Sequence, residues 1–262
     1  MKKKLLLAVA IAFGATATYG QAYISLSGGY GFGTNQKVLG REVSMMGDIS
    51  ELKGSYGAGF QSQLRGGYFF TKRWGAELSV GYLHGEEVQV NKTPLMDMKA
   101  RGRAYGASLS VVFNITDNIY VRAGGVTKIG GRTENITNLD DSGIIAGGYI
   151  LKANFQTNFH GKIPFGFIGG LGYKFKVAEK VSLFIEGEYL AINVSRKTSK
   201  LGDFSATWGG NNLTLEQFKA MAGSDFQALL PLLEQEYDWS SQNPPAAPYS
   251  SIGVHLGLTY TF

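Results

Sequence analysis

Apolar side chains recur at every second position in eight separate stretches of the chain. The last is the plainest. In SIGVHLGLTYTF, Ile252, Val254, Leu256, Leu258, Tyr260 and Phe262 alternate with Gly253, His255, Gly257, Thr259 and Thr261. A period of two is the signature of a strand with one apolar face. Upstream, AYISLSGGYGF sets Ile24, Leu26, Tyr30 and Phe32 on one face, and FQSQLRGGYFF sets Phe60, Leu64, Tyr68 and Phe70. WGAELSVGY gives Trp74, Ala76, Leu78, Val80 and Tyr82, and YGASLSVVFNI gives Tyr105 through Ile115 by twos. IYVRAGGVT is the weakest, with Ile119, Val121 and Ala123. IPFGFIGGLGYKFKV and VSLFIEGEYLA complete the set, the first running from Ile163 to Val177 and the second carrying Val181, Leu183, Ile185 and Tyr189.

The connections between these stretches alternate in length. TKR, TDN and AEK are short turns, and long segments near 33–54, 91–100, 130–158 and 195–248 separate the other pairs. Short turns at one end and long loops at the other describe an outer-membrane barrel of antiparallel strands. Charge decides between this and a soluble sandwich or lipocalin-like barrel, which would carry polar residues outside. The apolar face of the eight stretches holds no Asp, Glu, Lys or Arg, in a chain that is 17% charged. A charge facing lipid at mid-bilayer costs about 2–4 kcal/mol in a barrel. The predicted fold is therefore all-β: an eight-stranded antiparallel transmembrane β-barrel with short periplasmic turns, long extracellular loops and a short helical segment in the fourth loop.

The opposite face carries Arg65, Glu77, Arg122, Lys174, Lys176, Glu186 and Glu188, which would point into the lumen. Pairing Val177 with Val181 across the AEK turn sets Gly172 beside Glu186 and Gly170 beside Glu188. Each acid then has room to meet Lys174, Arg65 or Arg122, because isolated buried charges are costly. Phe69, Tyr120, Phe184 and Leu190 would fill further volume, as expected of a barrel just wide enough for its own side chains. Aromatic residues fall into two belts, Phe32, Phe60, Tyr82, Tyr105, Phe165 and Tyr189 near the long loops and Phe70, Trp74, Phe113, Phe175, Tyr260 and Phe262 near the short turns. Rings concentrate at both headgroup levels of a bilayer.

Here the chain resembles the OmpA/OmpX-type small outer-membrane barrels of Gram-negative bacteria, over residues 22–262 and as a pattern rather than a motif. The alternating last strand, with Tyr260 and the terminal Phe262, carries the resemblance most specifically. The resemblance implies that this strand is the assembly signal read by the barrel-assembly machinery, and that the protein lies in the outer membrane among lipids that include lipopolysaccharide.

Composition fits. Gly numbers 37 and aromatics are 13%, while Cys is absent, which leaves no disulfide framework and no thiolate metal site. The net charge of +5 includes Lys2, Lys3 and Lys4; the remainder is too small to suggest nucleic acid. The opening, MKKKLLLAVAIAFGATATYGQA, reads as a signal peptide over residues 1–20, with cleavage after Ala17 as the competing position, followed by the barrel over 21–262. Its apolar run is shorter than the roughly 20 residues a spanning helix needs.

Candidate chemistry is sparse. GGYGFG at 28–33 lacks the helix that a phosphate loop requires. His84 and His160 sit at loop edges, and His255 faces the lumen as a buried, hydrogen-bonded histidine. Ser79, Ser108 and Ser110 are small lumen residues with no mark of activation, and DDSG at 140–143 has paired acids without an adjacent His. No cofactor or metal set is expected. In the fourth loop, Thr214 with Gln217 and Ser224 with Gln227 are capping boxes, and Phe218, Met221, Phe226, Leu229, Leu230 and Leu233 form an apolar stripe that Pro231 should kink. Two basic clusters, Lys99, Arg101 and Arg103, then Arg196, Lys197 and Lys200, lie where strands leave the membrane, as a solvated rim or as contacts to lipopolysaccharide. The expected role is non-enzymatic: envelope structure, surface contact or adhesion through an extracellular ligand of unknown identity. A narrow solute channel and a rim-sited lipid hydrolase are the alternatives.

Overall fold

The computed structural model describes residues 20–34, 37–142, 150–221, 224–242 and 246–262, with backbone alone for 224–228. The signal peptide, apart from Gly20, and the Ser224–Gln227 capping pair lie outside what is described. In chain order the strands are β1 (Gln21–Gly33), β2 (Lys37–Val43), β3 (Ile49–Gly54), β4 (Gly59–Phe69), β5 (Trp74–Gly85), β6 (Val88–Lys92), β7 (Met96–Asn114), β8 (Ile119–Asp140), β9 (Leu151–Gly161), β10 (Gly166–Lys176) and β11 (Val181–Ala191). There follow β12 (Asn193–Val194), β13 (Arg196–Trp208), β14 (Asn211–Leu213), α1 (Leu215–Met221), a 3-10 helix (Ser224–Leu233), β15 (Tyr237–Asp238), β16 (Ala247–Pro248) and β17 (Ser251–Thr261).

Eight of these strands close a barrel in the order β1, β4, β5, β7, β8, β10, β11, β17 and back to β1, each pair antiparallel. Closure pairs the last strand with the first, Ile24 opposite Tyr260 and Leu26 opposite Leu258, and removes both sheet edges. The terminal residue is tied down as well: the Phe262 amide donates to the Ala22 carbonyl. Alternation places Leu26, Leu78, Leu109, Leu171 and Leu256 on the outer surface, each well exposed. Arg65, Glu186 and His255 are fully buried inside.

The long connections differ from the expectation of loops, because most of their residues are strand. β7 begins at Met96 rather than near Tyr105, and β8 continues to Asp140 rather than ending near Thr127. Conversely, Ile163 and Phe165 precede β10. Beyond the barrel, β3, β2, β6, β7, β8, β9, β13 and β14 form a second run of the same sheet, with one parallel contact, Glu42 opposite Lys92. Backbone pairing along β7 and β8 simply continues past the belt of Tyr82 and Tyr105, whose rings lie 4.9 Å apart. The side-chain alternation also continues, but with its polarity reversed. On β7, Tyr105, Ala107, Leu109, Val111 and Phe113 face out below the switch, and Asp97, Lys99, Arg101 and Arg103 face out above it.

Two apolar clusters result. A small one inside the barrel holds Val112, Tyr120 and Phe184, with Phe69 against it. The larger one lies under the outer sheet and includes Tyr56, Met98, Phe155, Phe159, Leu233, Trp239 and Tyr249. α1 starts with the expected reciprocal cap: the Gln217 amide donates to Thr214 Oγ1 at 3.2 Å, and the Thr214 amide to Gln217 Oε1 at 2.8 Å. The following 3-10 helix contains Pro231 and buries Leu229, Leu232 and Leu233. Thr157 of β9 anchors it by donating to the Leu232 carbonyl at 2.8 Å. Of the stripe, Phe218, Leu229 and Leu233 are buried and Leu230 packs against them, Met221 is exposed, and the Phe226 side chain lies outside what is described.

Candidate functional site

The lumen is occupied by a connected charge network. β11 places Glu186 and Glu188 inward on either side of Gly187, and the register with β10 sets Gly172 and Gly170 opposite them. A side chain at Gly170 would begin 3.0 Å from the Glu186 carboxyl carbon, and one at Gly172 would run into the Tyr120 ring. Those two glycines make room for the cluster. Arg65 meets Glu186 with two parallel bonds, Nη1 to Oε2 and Nη2 to Oε1, each 2.9 Å. Arg122 donates from Nε to the same carboxylate at 3.1 Å, and Tyr120 donates its hydroxyl to it at 2.7 Å. Glu188 accepts from Gln63 Nε2 at 2.8 and 3.0 Å and also from Arg122. Glu77 accepts from the Tyr23 hydroxyl at 2.8 Å and lies 3.6 Å from Arg122. Bidentate guanidinium–carboxylate pairs are the strong form of such contacts.

Three residues expected in the lumen depart from expectation, and the first, Lys176, is exposed at the end of β10. Lys174 meets no glutamate. Its ammonium sits among rings, 4.6 Å from the Tyr120 centroid, 5.2 Å from Phe69 and 6.0 Å from Tyr23, and donates to Asn114 Oδ1 at 3.5 Å. The reason is position: Lys174 lies opposite Phe184, toward the short-turn end, below the glutamates. His255 is fully buried, but neither ring nitrogen makes a hydrogen bond, and Nε2 stands 3.6 Å from Glu188.

The basic clusters do not form one surface. Lys99, Arg101 and Arg103 share the outer face of β7. Arg101 is committed to Glu134 at 2.8 Å and Glu87 at 3.1 Å, and Arg103 to the carbonyls of Gly85 and Gly102. Burial would raise Glu134; Arg101 and Arg132 outweigh it and hold the carboxyl below the ordinary glutamate range. Arg196 turns inward instead, stacked 4.8 Å over Phe159 and 6.0 Å from Trp239. Lys200 pairs with Glu236 at 3.4 Å, and Lys197 accepts a backbone bond from Trp239.

Of the catalytic candidates, Ser110 Oγ, like both His255 ring nitrogens, is buried without a hydrogen-bond partner, while others have structural partners. Ser79 and Ser108 bond to each other at 2.6 Å. Asp140 pairs with Lys152 at 3.1 Å and is held down, to about 2, by hydrogen bonds from Ser142 and by that lysine. Asp141 accepts the Leu151 amide at 2.7 Å. GGYGFG lies within β1. No group of three or more His, Cys, Asp or Glu among the described residues could hold a metal.

The eight-stranded antiparallel barrel expected from the sequence is present and closed, apolar outside and filled with paired charges inside. Known folds of similar shape include Ail, the attachment invasion locus protein of Yersinia pestis, at 13% identity and TM-score 0.35 over 94% of this chain and 100% of that one. Neisserial surface protein A matches at 11% and 0.35 over 92% and 97%. CarO2 of Acinetobacter baumannii matches at 12% and 0.34 over 92% and 99%. No protein-family model matches the sequence. No curated protein matches it either.

Sequence reasoning missed the cored outer sheet. Its signal was present: Met98, Ala100 and Ala104 alternate with Lys99, Arg101 and Arg103, and Ala153, Phe155, Thr157 and Phe159 with Asn154, Gln156 and Asn158.

Proposed function

We propose that this chain is an integral outer-membrane protein of a Gram-negative bacterium with a non-enzymatic role, holding a rigid outer sheet at the surface for contact or adhesion. The observation that carries this reading is the pairing of a filled lumen with a cored platform at the long-connection end. Loops carried on a rigid scaffold are where binding residues collect. The short turns face the periplasm, and β2, β3, β9, β13 and α1 face outward. Lys99, Arg103 and Lys197 lie where lipopolysaccharide phosphates would be, and Tyr260 and Phe262 serve as the assembly signal. Deleting Phe262 should therefore lower outer-membrane levels of folded protein, and unchanged levels would contradict that role.

A conducting channel is disfavoured by the Arg65, Arg122, Glu186 and Glu188 cluster spanning the lumen. Planar-bilayer recording of the refolded protein tests this. No stable conductance is expected, and reproducible open channels would overturn the reading. An epitope inserted at the Gly209–Gly210 turn should be stained on intact cells; staining that needs permeabilisation reverses the orientation.

A further inference from the structure

β8 changes partner partway along its length. Up to Val126 it pairs with β10, and from Thr133 it pairs with β9. Thr127 to Arg132 have no strand partner on that side. The facing chain follows β13 instead: His160 pairs with Thr198, Gly161 with Arg196, and the Lys162 amide donates to Ser195. Pro164 has no amide to offer across the gap. Thr127 Oγ1 spans it, donating to the Pro164 carbonyl at 2.6 Å. The sheet is further disturbed by a bulge at Ile129, between the Gly106–Lys128 and Tyr105–Gly130 pairs.

Behind this gap lies a cavity of about 90 Å³, at the junction between the polar lumen and the apolar outer core. Gln63, Ser108 and Glu188 line it below, and Ile192, Val194 and Tyr249 above. Lys128 stands in its wall, with Nζ 5.4 Å from the Tyr249 ring centroid and no carboxylate in ion-pair reach among the described residues. Glu188, the acid that shares the cavity, is already taken by Arg122 and Gln63. In front of the gap, the outer surface presents Ile129, Ile163 and Phe165, the last two 84% and 86% exposed. They sit at the level of the Tyr82 and Tyr105 belt, where acyl chains meet headgroups.

We propose that the gap is a side entrance from the outer leaflet, and that the cavity binds the carboxylate head of a single-chain amphiphile. The head pairs with Lys128, and the tail lies over Ile129, Ile163 and Phe165 in the lipid. The volume suits a carboxylate and its first few carbons, since about 10–15 Å³ of such cavity space holds one water. One uncompensated ammonium calls for one negative charge, because a buried cation without a partner is costly. This inference rests on the membrane placement proposed above.

The test uses the full barrel refolded in nonionic micelles, its folding followed by heat-dependent gel mobility. Displacement of a fluorescent fatty acid by laurate, dodecanol and dodecyl phosphate is then measured. Laurate should bind saturably and about ten-fold or more tighter than dodecanol, the gain expected of a hydrogen bond to a charged group. Lys128→Gln should erase that difference and keep the weaker binding of the tail. Gly106→Leu should weaken both ligands by filling the cavity, at a position where an added Cβ meets only ordinary contact. Equal laurate affinity in wild type and Lys128→Gln, or no effect of Gly106→Leu in folded protein, would overturn the site. Dodecyl phosphate binding tighter than laurate would overturn the carboxylate assignment. Folding in water without detergent would instead remove the membrane placement and leave the binding result to be read separately.

Discussion

The two halves of β7 follow opposite rules while belonging to one unbroken strand. Below Tyr105 the outward residues are Ala107, Leu109, Val111 and Phe113, and the inward ones are Gly106, Ser108 and Ser110. Above it the outward residues are Arg103, Arg101, Lys99 and Asp97, and the inward ones are Ala104, Gly102, Ala100 and Met98. The period of two never breaks; the solvent does. In the proposed membrane placement, a bilayer around the lower half would reward apolar side chains outside and confine charge to a lumen where Arg65 and Arg122 pair with Glu186 and Glu188. Water around the upper half restores the ordinary arrangement, with Phe155, Phe159, Leu233 and Trp239 packed beneath the sheet and lysines outside.

The two halves should therefore fail differently. The largest effect is expected in the lumen. Replacing Glu186 and Glu188 together by Ala leaves buried Arg65 without an ion-pair partner and Arg122 with Glu77 alone, 3.6 Å away. Removing one partner of a buried pair typically costs about 3–5 kcal/mol. Thermal unfolding of the refolded double variant should fall well below wild type. An unchanged transition would remove the network from any role in stability. The exposed Lys200–Glu236 pair of the outer half is the internal control, since such surface pairs contribute about 0–1 kcal/mol.

Next in size is a substitution that asks each half what surrounds it. Leu109→Arg places a charge on the lower outward face of β7 and should cost about 2–4 kcal/mol if that face meets lipid. Lys99→Leu, on the same face of the same strand but above the switch, should stay within about 0.5 kcal/mol, as surface substitutions do. Equal costs at both positions, measured by denaturant unfolding in vesicles, would abolish the distinction.

The outer core sharpens the comparison. Phe155→Ala or Leu233→Ala opens a cavity where each side chain is fully buried, and such changes cost about 2–5 kcal/mol. The loss should stay local. Limited proteolysis should cut the outer sheet faster, while the eight-stranded barrel keeps its gel mobility. Loss of the barrel itself would show that the two halves unfold as one unit.

How much of this was legible in the sequence follows the same division. The eight barrel strands could be read because one face carries no Asp, Glu, Lys or Arg, which makes the alternation conspicuous. Even the pairing of Gly170 with Glu188 followed from the Ala-Glu-Lys turn and matches the observed register. The outer strands obey the same period with mixed residues on both faces, such as Asn135 and Thr137 facing inward on β8, so they read as loops. The position of Lys174 among three rings could not be read at all. Parity says that a side chain points inward, but its height relative to Glu186 and the direction of its long, flexible stem depend on packing. The gap beside Lys128 was equally hidden, since it arises where β8 exchanges one partner for another far along the chain.

The central claim is that polarity reverses at Tyr105 because the surroundings change there. The chain contains no Cys, so single cysteines at 99, 101, 103, 107, 109 and 111 can each carry a nitroxide label on the outward face of β7. In vesicles, accessibility to oxygen against a water-soluble nickel complex reads the depth of each label. The account predicts lipid-like accessibility at 107, 109 and 111 and aqueous accessibility at 99, 101 and 103. An aqueous signal at 109, or a lipid-like signal continuing through 101 and 99, would contradict it.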